Sequence, residues 1–362
     1  MRRPIDRVPD ARPAFSLESL ARERGLAHIA RLGSNENCLG PSPLAVRAAR
    51  RAVRTAHRYP DAEGARLRQA LSRQSGLPPD AIVLGNGSSE LIELLARTYL
   101  GRSGNAIIPE GSFVAYRLAV AAHGGVCREA PMTPALGANL EAVLDAIDAR
   151  TRLVFLANPN NPTGTYVTRR ELRRFLGRVP ERVVVAVDEA YREYVVAGDY
   201  PDAARLLGSG PRLLVLRTFS KIHGLAGLRI GYALADPEIA RDIERARAPY
   251  SVSIVAQEAA LAALGDRRHA GRSQRHNLRE LRFLARGLER IGVASTPSVA
   301  NFLLVHPPTD PESLARRLLL DGVLVRPMGS FGFPRAFRVT VGTRPENLRF
   351  LRAMRALGSN RA

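Results

Sequence analysis

Lysine is almost absent from this chain: Lys221 stands alone against 53 arginines. A guanidinium stays protonated at physiological pH and cannot condense with a carbonyl, whereas a lysine amine can lose its proton in a tuned site and become a nucleophile. Whatever drove basic positions toward arginine left one primary amine in place. Long apolar runs are also missing, and charges are spread through the first thirty residues. These absences exclude a membrane-spanning helix and a signal peptide's apolar core, and a cytoplasmic protein without a membrane partner is expected. The two cysteines, Cys38 and Cys127, are too few for a disulfide framework and lack metal-ligand spacing, so no metal is expected. Zinc-finger, RRM and KH signatures, internal repeats and low-complexity segments are lacking too. The net charge of +20 therefore points to a solvated arginine-rich surface rather than a nucleic-acid partner, with arginines scattered along stretches such as Arg47 to Arg54 and Arg279 to Arg290.

What is present is material for two domains: 362 residues, 45% hydrophobic and 24% charged. Between residues 81 and 235, short β-rich runs alternate with helical stretches: Ala81 to Leu84, Ala106 to Ile108, Arg152 to Ala157, Arg182 to Val187 and Leu213 to Leu216. The almost unbroken apolar run Val183 to Val187 predicts a strand covered on both faces, as in a mostly parallel sheet flanked by helices. The expected fold class is α/β, with chemistry at the carboxyl ends of the strands. After Asp236-Pro237 the pattern changes to long helices, near Pro237 to Arg247, Ile254 to Leu264 and Arg272 to Ile291. Short strands then follow near Phe302 to Val305, Val323 to Val325 and Phe337 to Val341, which reads as a smaller α+β domain. The expected division is an arm at 1–40, a large α/β domain at 41–245 and a small α+β domain at 246–362.

Four segments carry chemistry. Gly85-Asn86-Gly87-Ser88-Ser89-Glu90 leads from a strand into an amphipathic helix, Leu91 to Leu100; its free N–H groups and helix dipole suit a phosphate. Alone, it is equally a helix start capped by Ser88 or Ser89. Asn158-Pro159-Asn160-Asn161-Pro162-Thr163-Gly164 is a rigid turn that can hold an asparagine amide over a ligand. Asp188-Glu189-Ala190-Tyr191 sets a carboxylate and a phenol at one strand end. Finally, Thr218, Ser220, Lys221 and Arg229 combine hydroxyls and a guanidinium, which suit phosphate, with an amine suited to covalent chemistry.

In this order the segments resemble the fold type I, pyridoxal-phosphate-dependent aminotransferases, and within them the histidinol-phosphate aminotransferase branch. Further matching landmarks are Gly33 to Asn37, Arg58 to Asp61, Asn301-Phe302 and Phe337 to Thr343. The resemblance implies that pyridoxal 5'-phosphate forms a Schiff base with Lys221, which then shuttles the substrate's α-proton. It also implies that Asp188 pairs with the pyridine nitrogen, Tyr191 and Asn161 bond the ring's 3-oxygen, and Phe113 stacks on the ring. Ser88, Ser89, Thr218, Ser220 and Arg229 would cradle the phosphate, and Tyr59 would reach the cofactor of a partner subunit in a homodimer. Arg338 would clamp the substrate's α-carboxylate, Arg326 would lie near its distal phosphate, and Asn35 would bind substrate.

The branch's amino-terminal substrate-contacting tyrosine is missing, with Ala11, Arg12, Pro13 and Ala14 in its place; Ser89 replaces an acidic residue and Cys38 a proline. The expected activity is ping-pong transamination of histidinol phosphate and 2-oxoglutarate to imidazole acetol phosphate and glutamate. Alternatives are an aromatic or secondary-metabolite aminotransferase, or a threonine-phosphate decarboxylase of related fold. A cofactor-sensing DNA-binding regulator would need a helix-turn-helix module, for which the arm at 1–40 is too short.

Overall fold

A computed structural model describes Arg22 and residues 28–101, 103–208 and 210–359. The expected amino-terminal landmark at Ala11 to Ala14 lies outside the described residues. In chain order the strands are β1 (Ala30–Arg31), β2 (Ile82–Gly85), β3 (Asn105–Pro109), β4 (Val126–Ala130), β5 (Thr151–Ala157), β6 (Val184–Asp188), β7 (Leu213–Thr218), β8 (Gly231–Ala235), β9 (Ala294–Ser295), β10 (Phe302–His306), β11 (Val323–Leu324), β12 (Arg326–Pro327) and β13 (Phe337–Thr340). The described helices are α1 (Pro43–Ala52), α2 (Ala65–Ser75), α3 (Gly87–Tyr99), α4 (Val114–Ala122), α5 (Leu140–Asp145), α6 (Arg169–Leu176), α7 (Pro237–Ala246), α8 (Ile254–Gly265), α9 (Arg267–Arg290), α10 (Pro311–Leu320) and α11 (Arg344–Ser359).

Local chemistry sets several of these boundaries. The Ser42 hydroxyl accepts from the N–H groups of Leu44 and Ala45, with Pro43 in the first turn of α1. Thr168 and Glu171 form a reciprocal capping box at α6. At α3 the structure corrects the expected start: the helix begins at Gly87 rather than Leu91, so Ser88 and Ser89 lie in its first turn and neither is the cap. The Glu90 carboxylate instead accepts from the N–H of Asn86 at 2.6 Å.

The main sheet has seven strands in the order β2-β8-β7-β6-β5-β3-β4. All neighbouring pairs are parallel except the two made by β8. Its two faces carry two apolar clusters, because successive side chains on a strand point to opposite sides. Val185, Val187 and Val215 belong to one, with α2, α6 and α8; Val184, Ala186 and Leu214 belong to the other, with α3, α4 and α7. Each fully buried valine contributes about 1.5 kcal/mol or more, enough to fix the register of β6. A third cluster joins Leu284 and Leu288 of α9 to Phe337 and Val339 of β13 and includes Ala30 and Leu32. There β1 pairs with β11, while β12-β13-β10-β9 form a four-stranded sheet. Among the described residues no helix is long and apolar enough to cross a membrane.

Candidate active site

The carboxyl ends of β5, β6 and β7 open into a cavity of about 390 Å³, closed on the far side by residues 33–36 and by β12 and β13. Every candidate site residue except Tyr59 lines it. Tyr59 is 80% exposed and stacks on Tyr250 at 4.7 Å.

Asp188 ends β6 at the cavity floor. Its Oδ1 accepts from the N–H of Ala190 at 3.0 Å and its Oδ2 from the Tyr116 hydroxyl at 2.8 Å. Burial pushes its carboxyl up to about 6, against the pull of Tyr116, the Ala190 N–H and Lys221. Behind it, Glu189 is fully buried; it accepts from Arg217 Nε at 3.0 Å and from the N–H of Ala203 at 2.9 Å. Arg217 also donates to Asp202 at 2.6 Å, so this ion network ties the turn after β6 to β7, the strand that leads to Lys221.

The Lys221 amine projects into the cavity and donates to the Ser34 carbonyl at 3.3 Å. Burial, with Arg338 and Arg229 nearby, lowers it from the usual lysine range to about 8, opposed by Glu36 and Asp188. A substantial share is therefore neutral and nucleophilic near physiological pH. Its Nζ lies 5.6 Å from the centre of the Tyr191 ring. Burial raises the Tyr191 phenol, keeping it protonated and able to donate.

One end of the cavity is built for an anion. The first turn of α3 brings the backbone of Ser88 and Ser89 to the wall, beside buried Ser220 and the guanidinium of Arg229. A Cβ at Gly87 would collide with that guanidinium, and one at Gly231 would come within 2.6 Å of the Ser88 nitrogen, so both glycines are needed for the close approach. Thr218 lines the same end, but its hydroxyl accepts from the N–H of Ser220 at 3.0 Å and so shapes the turn.

At the opposite end Arg338 is buried. It donates to Asn161 Oδ1 at 2.5 Å and to the Gly33 carbonyl at 2.7 Å, while its Nε is buried with no partner among the described residues. Exposed Arg326 pairs with it in register across β12 and β13. An anion arriving here meets a guanidinium that no carboxylate among the described residues neutralises. Asn161, with its oxygen on Arg338, keeps its amide nitrogen for the cavity. Asn35 is engaged within the protein: it donates to the Tyr191 hydroxyl at 2.9 Å and accepts from the Thr340 hydroxyl at 3.2 Å. Its place is beneath Tyr191, as a support for that phenol. Phe113 lines the cavity above the turn of α4.

Sequence reasoning missed Tyr116. The available signal was its position three residues after Phe113, whose ring it meets edge-on at 5.7 Å.

Residues 27–354 match the family aminotransferase class I and II. The chain is 47% identical over 349 residues to the histidinol-phosphate aminotransferase of Anaeromyxobacter sp. (strain Fw109-5), covering 96% of each chain. It is 41% identical over 346 residues to that of Moorella thermoacetica, covering 95% of this chain and 89% of the relative. Among solved structures it is similar to the histidinol-phosphate aminotransferase of Sinorhizobium meliloti in complex with pyridoxal-5'-phosphate: TM-score 0.91, 29% identity, covering 100% of this chain and 98% of that one.

Proposed function

Because this chain belongs to the class I and II aminotransferases, in the histidinol-phosphate aminotransferase family, we propose that it moves an amino group reversibly between histidinol phosphate and 2-oxoglutarate, giving imidazole acetol phosphate and glutamate, with pyridoxal 5'-phosphate held at Lys221. The observation that carries the reading is the single lysine amine sharing one cavity with Asp188 and with a buried, uncompensated Arg338. The lining suits the cofactor: an anion cradle at the start of α3, a buried carboxylate for a ring nitrogen, and a phenol and an amide for a ring oxygen. When bound, pyridoxal phosphate supplies an aldehyde that condenses with amines and a ring that accepts the electron pair left as the α-proton departs.

Lys221 would provide the amine and, once released, the base that accepts the α-proton and gives it up again. Asp188, as an anion, keeps a ring nitrogen protonated. Tyr191, steadied by Asn35, and Asn161 present donors to the ring oxygen, while Ser88, Ser89, Ser220 and Arg229 hold the phosphate, with Thr218 ordering the turn. Phe113 offers an apolar ring face. Histidinol phosphate has no carboxylate, so Arg338 clamps a carboxylate only in the glutamate half of the cycle; with histidinol phosphate, Arg338 and Arg326 share the phosphate ester.

In this reading the working enzyme is a cytoplasmic homodimer whose Tyr59 reaches the partner's cofactor phosphate. The exposed stack of Tyr59 on Tyr250 supports that placement, since two bare rings favour burial. The division into 41–245 and 246–362 after an arm at 1–40 belongs to the same reading, with α8 reaching back onto the larger core.

Borohydride reduction of the holoenzyme followed by peptide mapping tests the cofactor assignment: the label should sit on Lys221 alone, and its absence there refutes it. Incubation with glutamate, histidinol phosphate, phenylalanine and threonine phosphate in separate cuvettes tests the substrate. Bleaching of the visible band by the first two supports the reading, and bleaching by phenylalanine but not histidinol phosphate overturns it.

A further inference from the structure

Tyr116 lies fully buried in α4 at the cavity floor, with its ring stacked on Phe155 at 4.9 Å and 6° and meeting Phe113 edge-on at 5.7 Å. Phenylalanine would fill the same space. The hydroxyl therefore needs its own explanation, because a buried O–H is costly unless it is bonded. Its acceptor is Oδ2 of Asp188 at 2.8 Å. Burial and the adjacent carboxylate hold the phenol well above its ordinary range, so the proton stays on Tyr116 and the carboxylate accepts a hydrogen bond from it. The other oxygen of Asp188 is held by the Ala190 N–H. Each carboxylate oxygen thus has one fixed donor within the protein, which sets the group's rotation and leaves acceptor capacity for a ligand.

We propose that Tyr116 is a positioning residue: its hydroxyl fixes the orientation of the Asp188 carboxylate and stabilises its anionic form toward a protonated ring nitrogen. This rests on the cofactor reading above. The charged and titratable groups facing Asp188 are Lys221 from the segment after β7, Glu189 and Tyr191 from its own turn, and Tyr116 from α4; Arg338 of β13 lies behind them, against Tyr191 and Lys221. Burial already raises the Asp188 carboxyl, and the Tyr116 hydrogen bond works against that rise. Without the hydroxyl, protonation of Asp188 begins at a higher pH, and a protonated carboxyl no longer holds a ring nitrogen's proton.

The test compares wild type, Tyr116→Phe and Phe155→Leu as holoenzymes, reading the cofactor retained after gel filtration across a pH series, together with kcat and KM. In Tyr116→Phe the acid limb of cofactor retention should move up by about one pH unit, with kcat falling about tenfold and the donor KM changing less than about twofold. Phe155→Leu should lower the melting temperature and leave the acid limb in place. An unmoved limb in Tyr116→Phe overturns the proposal, as does an equal movement in Phe155→Leu, which would make the effect one of packing. A wild type that retains no cofactor overturns the cofactor reading as well; a wild type that retains it beside an unaltered variant overturns this proposal alone.

Discussion

Two arginines, Arg217 on β7 and Arg338 on β13, are almost equally buried, at 5% and 6% exposure, yet their charges are answered in opposite ways. Arg217 meets Glu189 at 2.8 Å and Asp202 at 2.6 Å; burial disfavours its charge, but these carboxylates outweigh burial and push its pKa up. Among the described residues Arg338 bonds only neutral oxygens and leaves Nε unpartnered, and burial, with Arg326 adding to it, lowers its pKa to about 10 despite Tyr191. A buried cation with carboxylates holds structure together. One without them carries an unfavourable charge that a ligand's anion relieves.

Removing the cation beside Arg338 should have the largest effect: Lys221→Ala should lower turnover by about 10⁴-fold or more, since no other lysine can take its place. Single-turnover measurement with histidinol phosphate checks this, and Lys221→Arg should fare no better. Arg217→Met should next cost about 3 kcal/mol of stability, read from denaturant unfolding of the cofactor-free protein, because it leaves buried Glu189 with Arg192 at 3.3 Å as its one remaining cation among the described residues. Arg338→Met should go the other way in the same assay, gaining about 1 kcal/mol, while raising the KM for glutamate roughly 100-fold. Loss of stability in both variants would erase the distinction.

A pH measurement sharpens it further. Cofactor uptake by the cofactor-free protein should rise with pH through about 8 and then level off, because only the unprotonated Lys221 amine attacks. Arg338 disfavours a second positive charge on that amine, so its removal should shift the midpoint upward, whereas Arg217→Met should leave it unchanged. The smallest effect is expected at exposed Arg326, where Arg326→Ala should raise the KM for histidinol phosphate about threefold, less at high salt, and leave that for glutamate nearly unchanged.

The sequence pattern placed β2, β3, β5, β6 and β7 within a residue or two of their ends, because strands covered on both faces read as apolar runs. It did not predict β4, where Arg128 and Glu129 interrupt the run at the sheet edge, or β8, which begins at Gly231 directly after the Lys221 segment and looks like its continuation. The cavity lining was legible because its residues cluster at strand ends. The contrast between Arg217 and Arg338 was not, since each simply follows an apolar residue in a strand, Leu216 and Phe337. Their different partners come from Glu189, 28 positions away from Arg217, and from Gly33, 305 away from Arg338. The roles of Tyr116 and Asn35 were hidden in the same way, in hydrogen bonds that only the fold brings together.

Arg338 belongs by its backbone to the four-stranded sheet, but its guanidinium rests on Asn161, in the turn that follows β5 of the seven-stranded one. The side chain is therefore a rivet across the seam between the two sheets. A carboxylate seated there would load both layers at once, so substrate engagement would stiffen the joint itself, and slow exchange of amides on either side of it would report occupancy without following any colour or product.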